Sequence, residues 1–275
     1  QGQLFIARGG FVTQVNPSTW AVVATRSLSA VVRGMELWFN KLRLGMGGAL
    51  AMQTVTGVNA TAVATFTDEQ VSGADTYAKA MALGNDRVWW VRADPAGTNE
   101  NRLRFSTDDI VTQSTGFVVG DPGINATGVG VMGPLMVAGA ETGIFGFTDE
   151  GIPFNIVSAL RDARSIDNGR QFAYMDGWLY AISSLTLYAI HGQIANPVGV
   201  GSLSMSGFEG FDGRPVAIMA WRGEIIVCYE DSAGTTWRLM LGTFNRELTP
   251  SSGERDWYPF ASRTSASVRA IGATS

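Results

Sequence analysis

The feature that most constrains the fold is a phrase of three apolar strands and two tight turns that recurs along the chain. Five copies align on the strand that we predict to be the middle one of each phrase. These landmarks, separated by 44 to 51 residues, are Leu37, Val88, Leu135, Leu179 and Ile225. A period of about 40 to 50 residues with several strands per unit is typical of a β-propeller blade. The sequence therefore predicts an all-β propeller of antiparallel strands.

The predicted middle strands are nearly continuous apolar runs, such as "RVWWV", "EIIVCY", "PLMVAG" and "WLYAI". Such runs indicate strands that are buried on both faces. The turns between strands, for example Asp176-Gly177 and Arg222-Gly223, favour antiparallel hairpins. Hairpins buried on both faces fit blades that stack radially. Because neighbouring side chains on a strand point to opposite faces, we expect Trp89 and Trp90 to pack against opposite neighbouring blades.

The two ends of the chain complete one further blade. "QLFIARGG-FVTQVN" is typical of second and third strands, "AVVATRS" of an outer strand, and the C-terminal "SVRAIGATS" of a first strand. We therefore expect the strand around Leu4–Ala7 to pair with the strand around Val268–Ile271, which leaves no open blade edge. This closing blade makes six in total. Five or seven blades remain alternatives, because only 33 residues separate Leu4 from Leu37 and the segment 48–66 is long.

We predict a single domain over residues 1–275 that is a portion of a longer virion protein. Residues 153–165 are expected to hold one short helical turn, and the glycine-rich residues 196–215 a loop or an irregular outer strand.

The net charge of −4 gives no reason to expect a nucleic-acid groove. No apolar run reaches about 18 residues, so no membrane insertion is expected. Cys228 is the single cysteine, which excludes an internal disulfide.

An acidic motif follows three of the apolar runs. "FTDE" occurs at residues 66–69 and 147–150, and "FSTDD" at 105–109. We predict that each motif ends a strand and begins a turn, where Asp and Thr side chains bond nearby backbone amides. A set of carboxylates that binds a cation at one rim is the alternative. "EDSAGTTW", residues 230–237, also partly resembles the Asp boxes of sialidase-like propellers, which are themselves structural.

Catalytic motifs are scarce. His191 is the single histidine, so a catalytic triad or a histidine metal site would depend on it. No P-loop, GxSxG or HExxH motif is present. We predict a protein that is not an enzyme and that has no metal site and no cofactor. A sialidase-like glycosidase remains an alternative, since glycosidases need only two carboxylates, and so does a glycan-binding lectin.

One aromatic cluster is a candidate binding surface. The stretch "GERDWYPF", residues 253–260, lies outside the strong strand runs. Exposed aromatic rings beside polar groups suit sugar stacking or a protein contact. The alternative is that the rings cover the bottom of the propeller or a gap between blades. The predicted surface consists of Arg255, Asp256, Trp257, Tyr258 and Phe260.

The middle of the chain, about residues 130–190, resembles propeller segments of bacteriophage structural proteins, particularly tail and tail-tip components. The resemblance rests on "LMVAGAETGIFGFTDEGIP" followed by "MDGWLYAI". It implies a virion component that serves as scaffold, spacer or host-surface contact and that carries no catalytic residues. The implied partners are other virion proteins in a multi-copy assembly, and a host-surface glycan or receptor.

Overall fold

The computed structural model describes most of the chain. The described residues are 4–8, 10–16, 19, 21–28, 30–47, 50–56, 65–67, 77–92, 101–107, 116–148, 151–158, 160, 170–183, 186–199, 213–231, 236–264 and 268–273. Within these ranges the backbone alone is described at 8, 65–67, 170–171, 236, 260–264 and 268–273.

The described residues form twenty-four strands and one short helix. In the first half of the chain these are β1 (Leu4–Arg8), β2 (Phe11–Val15), β3 (Val22–Ser27), β4 (Gly34–Trp38), β5 (Lys41–Gly45), β6 (Gln53–Thr56), β7 (Thr65–Thr67), β8 (Ala78–Gly84), β9 (Arg87–Arg92), β10 (Arg102–Ser106), β11 (Phe117–Val118) and β12 (Ala126–Met132). In the second half they are β13 (Leu135–Ala140), β14 (Gly143–Phe147), β15 (Pro153–Val157), β16 (Arg170–Met175), β17 (Trp178–Ser183), β18 (Thr186–His191), β19 (Ile194–Val198), β20 (Arg214–Trp221), β21 (Glu224–Glu230), β22 (Thr236–Phe244), α1 (Thr249–Ser252), β23 (Arg255–Thr264) and β24 (Val268–Ala273).

The strands form six four-stranded antiparallel blades around an axis. From the first, innermost strand outward, blade 1 is β24-β1-β2-β3, and blades 2 to 6 are β4–β7, β8–β11, β12–β15, β16–β19 and β20–β23. The first strands contact one another in a closed ring, from β24 through β4, β8, β12, β16 and β20 back to β24. The first strands of blades 4 and 5 also pair in parallel, with Gly128 opposite Arg170. The predicted six-bladed propeller is confirmed.

The two chain ends close the ring as predicted. β1 pairs antiparallel with β24, with Leu4 opposite Ala273 and Ala7 opposite Ala270. β2 and β3 then complete blade 1 as its third and outer strands.

The core lies in the gaps between blades, because the second strands are buried on both faces. In β17 every residue from Trp178 to Ser183 is buried. Trp89 packs in a cluster with residues of blade 4, including Met136, whereas Trp90 packs with Met52 of blade 2. The prediction that the two tryptophans face opposite neighbours is therefore confirmed.

The structure corrects three local predictions. Leu37 lies on β4, a first strand, and not on a second strand as the other four landmarks do, because the turn in this blade is Phe39-Asn40. Residues 153–157 form the outer strand β15 and not a helical turn, whereas residues 161–165 of the same predicted segment lie outside the described residues. Residues 255–264 form the outer strand β23, although this stretch lacks a continuous apolar run.

Helix is confined to one turn in the described residues. The helix α1 lies in the connection between β22 and β23 and ends at Gly253, whose φ of 76° suits glycine. No helix among the described residues is long and apolar enough to span a bilayer.

Candidate functional site

One rim of the propeller is built from the turns that join the first strand of a blade to the second. We call this surface the hairpin rim. In four of these turns both central residues have positive φ, as type I′ hairpins require. The five described turns are Phe39-Asn40, Asn85-Asp86, Gly133-Pro134, Asp176-Gly177 and Arg222-Gly223. The opposite surface, the crossover rim, carries the connections between blades.

Apolar side chains surround the axis on the hairpin rim. Phe39 is 54% exposed, and Leu83 and Tyr174 are also exposed. Val131, Ala220 and Trp221 are half-buried, since their inner parts pack between blades. We call these six residues the annulus: Phe39, Leu83, Val131, Tyr174, Ala220 and Trp221. It includes at least one residue from each of blades 2 to 6, in the turn or within three residues before it.

Contacts between neighbouring turns connect the hairpin rim across blades 3 to 5. The side-chain amide of Asn85 donates a hydrogen bond to the carbonyl of Pro134 at 3.2 Å. Tyr174 of blade 5 lies over the turn of blade 4, where a methyl group on Gly133 would be 4.0 Å from the Tyr174 ring. In blade 6, the Arg222 guanidinium stacks 4.5 Å from the centre of the Trp221 ring.

Phe39 occupies a position at which a bulky residue is strained. Its φ is 48°, in the left-handed region that costs a non-glycine residue about 1 kcal/mol. The equivalent positions hold Asn85, Gly133, Asp176 and Arg222. The Phe39 ring is held edge-on to Trp38, with centroids 4.7 Å apart. A large apolar ring is thus kept exposed where a short polar residue or glycine would fit with less strain.

The charges around the annulus are balanced. The described residues in or next to the hairpin-rim turns include three cations and three anions: Lys41, Arg87, Arg222, Asp86, Asp176 and Glu224. These five turns are therefore close to neutral, while the whole chain carries −4.

Neighbouring first strands pack closely against one another around the axis. A Cβ atom on Gly130 would lie 2.3 Å from Cβ of Phe172 in the next blade, and one on Gly34 would lie 3.0 Å from the backbone of Met81. Small residues on one first strand thus receive a large apolar residue from the next strand. Among the described side chains, the first strands present mainly glycine, alanine and aliphatic residues near the axis.

Charged exceptions are Lys79, which is buried on β8, and Glu36. Glu36 lies between Gly34 and Trp38 on the face of β4 that packs against blade 3. Burial raises the pKa of its carboxyl to about 8. None of the described residues donates a hydrogen bond to it.

The predicted aromatic surface is split between two sides of β23. Arg255 and Trp257 are buried in the gap between blades 5 and 6, so the expectation that they are exposed is wrong. Tyr258 is 53% exposed, and Asp256 is half-buried. The side chain of Phe260 lies outside the described residues. The side-chain alternation of a strand explains the split; a binding role for Tyr258 stays a prediction.

The buried side of β23 belongs to a polar network that joins blades 5 and 6. Arg255 forms an ion pair with Asp176, and its Nε donates to the hydroxyl of Tyr180 at 2.9 Å. That hydroxyl donates to the carbonyl of Gly253 at 2.8 Å. Burial raises the pKa of Tyr180, and the nearby Arg255 cation opposes this shift.

Glu254 is the acceptor of the same network. Its carboxylate accepts hydrogen bonds from the Trp257 indole at 2.7 Å and from the backbone amides of Arg255 and Gly199 at 3.1 and 3.2 Å. Each buried charge therefore has partners, as a stable interior requires. The network is a structural fastening between two blades, and its interior position leaves no access for a large ligand.

The other sequence candidates have local roles where they are described. The exposed His191 places Nδ1 3.1 Å from the carbonyl of Gly177. Thr148 follows the last residue of β14, and its hydroxyl accepts a hydrogen bond from the amide of Ile152 at 3.3 Å, which confirms the turn role of this threonine. Glu230, in the stretch like an Asp box, forms an ion pair with Arg214 at 2.9 Å.

The carboxylates of the three acidic motifs, at 68–69, 108–109 and 149–150, lie outside the described residues. Among the residues that are described, no three His, Cys, Asp or Glu side chains are grouped so as to hold a metal ion.

Sequence reasoning missed the annulus, although a signal was present. The residues just before each turn are apolar in "LWFN", "ALGND", "VMGP", "YMDG" and "AWRG". Strand ends beside a polar turn are normally solvated, so apolar residues repeated there indicate a shared surface.

No protein-family model matches the chain, and no curated protein matches it. Solved structures do share its fold. A chain of a nidogen/laminin complex aligns with a TM-score of 0.59 at 10% identity, over 99% of this chain and 98% of that one. Dihydro-heme d1 dehydrogenase NirN aligns with a TM-score of 0.50 at 10% identity, over 97% of this chain and 54% of that one. Apo AztD from Citrobacter koseri aligns with a TM-score of 0.49 at 8% identity, over 99% of this chain and 98% of that one. At these identities, the first two similarities support the propeller fold alone.

Proposed function

We propose that the chain is a non-enzymatic structural and binding module of a larger assembly, and that this assembly is a bacteriophage virion. The observation that carries the proposal is the annulus on the hairpin rim. Contiguous exposed apolar surface is uncommon on monomeric proteins and marks contact sites. The strained, exposed Phe39 adds to this, because aromatic residues are enriched among those that dominate binding energy.

The composition of the axis supports a binding module over a glycosidase. A glycosidase needs two carboxyl groups that face one substrate across a cleft. The described first strands instead present mainly small and apolar side chains, with the single carboxyl of Glu36 on β4 and the ammonium group of Lys79 on β8 as charged exceptions. The virion setting is supported by the resemblance of residues 130–190 to phage propeller segments.

The arrangement of the chain ends is consistent with a module inserted into a longer protein. Leu4 and Ala273 are paired in blade 1, at the position where other blades have their hairpin turn. Flanking polypeptide would therefore enter and leave at one place.

The experiment is proteomic and structural mapping of purified particles of a phage that encodes this chain. We expect the chain in fixed stoichiometry, in contact with other virion proteins, and without turnover of reporter glycosides. Absence from washed particles would contradict the virion role. Hydrolysis that co-purifies with the chain and is lost on replacing one of its carboxylates would contradict the non-enzymatic role.

A further inference from the structure

We propose that the annulus is the contact through which two copies of this chain associate, hairpin rim against hairpin rim. The inference rests on the proposed function, since it names the partner of the proposed binding surface. Its occupant is a second copy of the chain, and the contact is isologous.

The charge of the rim favours a second copy. An isologous contact brings each surface onto itself, so a strongly charged face would repel its partner. The turns of the hairpin rim carry balanced charges, and each copy can set its cations, such as Arg222 and Lys41, near anions of the other, such as Asp86 and Glu224.

The geometry of the rim also suits this partner. The annulus is distributed around the axis over blades 2 to 6, so a coaxial partner with the same arrangement meets apolar groups on most blades. A stable interface takes about 800 Å² from each partner, a small share of the 11723 Å² accessible surface of the chain. The paired chain ends lie on the same rim in blade 1, beside the annulus, so flanking polypeptide has to leave at the edge of the contact.

Phe39 is the expected anchor. It projects furthest into solvent among the annulus residues, at 54% exposure. Its left-handed backbone is a local cost to folding, which a contact made by the ring would offset. In an isologous dimer the Phe39 rings of both copies are buried, so the substitution removes two contacts.

The test measures self-association of the full chain by sedimentation velocity and light scattering between about 1 and 100 μM, the range in which weak dimers dissociate. The variant is Phe39→Asn, which removes the ring and places a residue that favours type I′ turns at the strained position. We expect the dimer dissociation constant to rise about tenfold or more, while the unfolding midpoint stays equal or rises. A folding defect would lower that midpoint and is thereby separated from loss of contact.

Phe11→Asn is the matched control. Phe11 is 45% exposed and begins β2 on the crossover rim. We expect this variant to associate as the parent chain does. A chain that stays monomeric over the whole range would overturn the proposal, as would equal effects of the two substitutions. Either result would leave the non-enzymatic role untouched, whereas glycoside hydrolysis by a dimeric chain would contradict that role alone.

Discussion

The gaps between blades 3 and 4 and between blades 5 and 6 hold equivalent parts of the propeller together by different chemistry. The first gap is filled by aromatic rings. Trp89 lies 4.8 Å from Phe105 and 5.2 Å from Phe117, and Phe117 stacks on Phe147 at 5.8 Å. The second gap is also packed by apolar residues, such as Trp178 and Trp257, and in addition contains the network of Arg255 and Glu254.

The difference shows that the fold requires a filled gap and not a particular composition. Aromatic packing stabilises through area removed from water and needs only shape. A buried charge network needs every donor and acceptor to be satisfied. We therefore expect the aromatic gap to respond to lost volume and the polar gap to lost partners.

The largest effect is expected from Trp89→Ala in the aromatic gap. The change removes a fully buried ring and leaves a cavity, which should cost about 3–5 kcal/mol of unfolding free energy. Urea denaturation measures this loss. Tyr258→Ala is the control, since an exposed side chain should change stability by less than about 0.5 kcal/mol. Equal midpoints for the Trp89 variant and the parent chain would show that the gap is not packed as described.

Arg255→Met tests the polar gap with little change in volume. Removal of one partner of a buried ion pair costs about 3 kcal/mol, here because Asp176 and the Tyr180 hydroxyl both lose a donor. Arg222→Met is the control, because Arg222 is exposed on the hairpin rim. A thermal midpoint that falls equally for both variants, or for neither, would mean that the network does not distinguish this gap.

The sequence predicted the blades because hairpin turns and doubly buried strands have strong local signals. Asp176-Gly177 and Arg222-Gly223 are turn dipeptides, and the terminal strands could be joined once the repeat was recognised. In blade 2 the predicted middle strand is in fact the first strand, β4, because Phe39 is a bulky residue at a left-handed position of the turn. Its apolar character made "ELWFNK" resemble a continuous strand.

The candidate site was less predictable because contacts between blades join residues distant in sequence. Trp257 and Tyr258 alternate between the two faces of β23, which a period-two pattern could have indicated. The partners of Arg255, however, are Asp176 and Tyr180, 79 and 75 residues away. No local pattern specifies such a pairing.

Glu36→Gln tests a third gap, between blades 2 and 3, in which none of the described residues donates a hydrogen bond to the carboxyl of Glu36. Its pKa of about 8 in the folded chain lies above the ordinary value of 4.5. Folding therefore favours the protonated form. The contribution of Glu36 to stability should be greatest below about pH 4.5, and it should be lost as the pH rises to about 8. Gln resembles the protonated acid and does not ionise.

We expect the Glu36→Gln variant to match the parent chain near pH 5 and to exceed its stability by about 2 kcal/mol near pH 9, a value reduced from full linkage because the side chain is partly exposed. Urea denaturation at both pH values measures the difference. Glu224→Gln, on the hairpin rim, is the control and should show no such dependence. A difference in unfolding free energy between variant and parent that is constant with pH would contradict the raised pKa.

The smallest effect is expected from Tyr180→Phe, which removes one oxygen from the polar gap and leaves the ring in place. The hydroxyl donates to Gly253 and accepts from Arg255, so its loss leaves a buried carbonyl and a guanidinium N–H without this partner. The cost should be about 1 kcal/mol, and it should disappear when Arg255→Met is already present, because the two groups act together. A double-mutant cycle followed by urea denaturation measures this coupling. If the two losses are additive, Tyr180 and Arg255 act independently, and the gap between blades 5 and 6 is held by packing in the same way as the aromatic one.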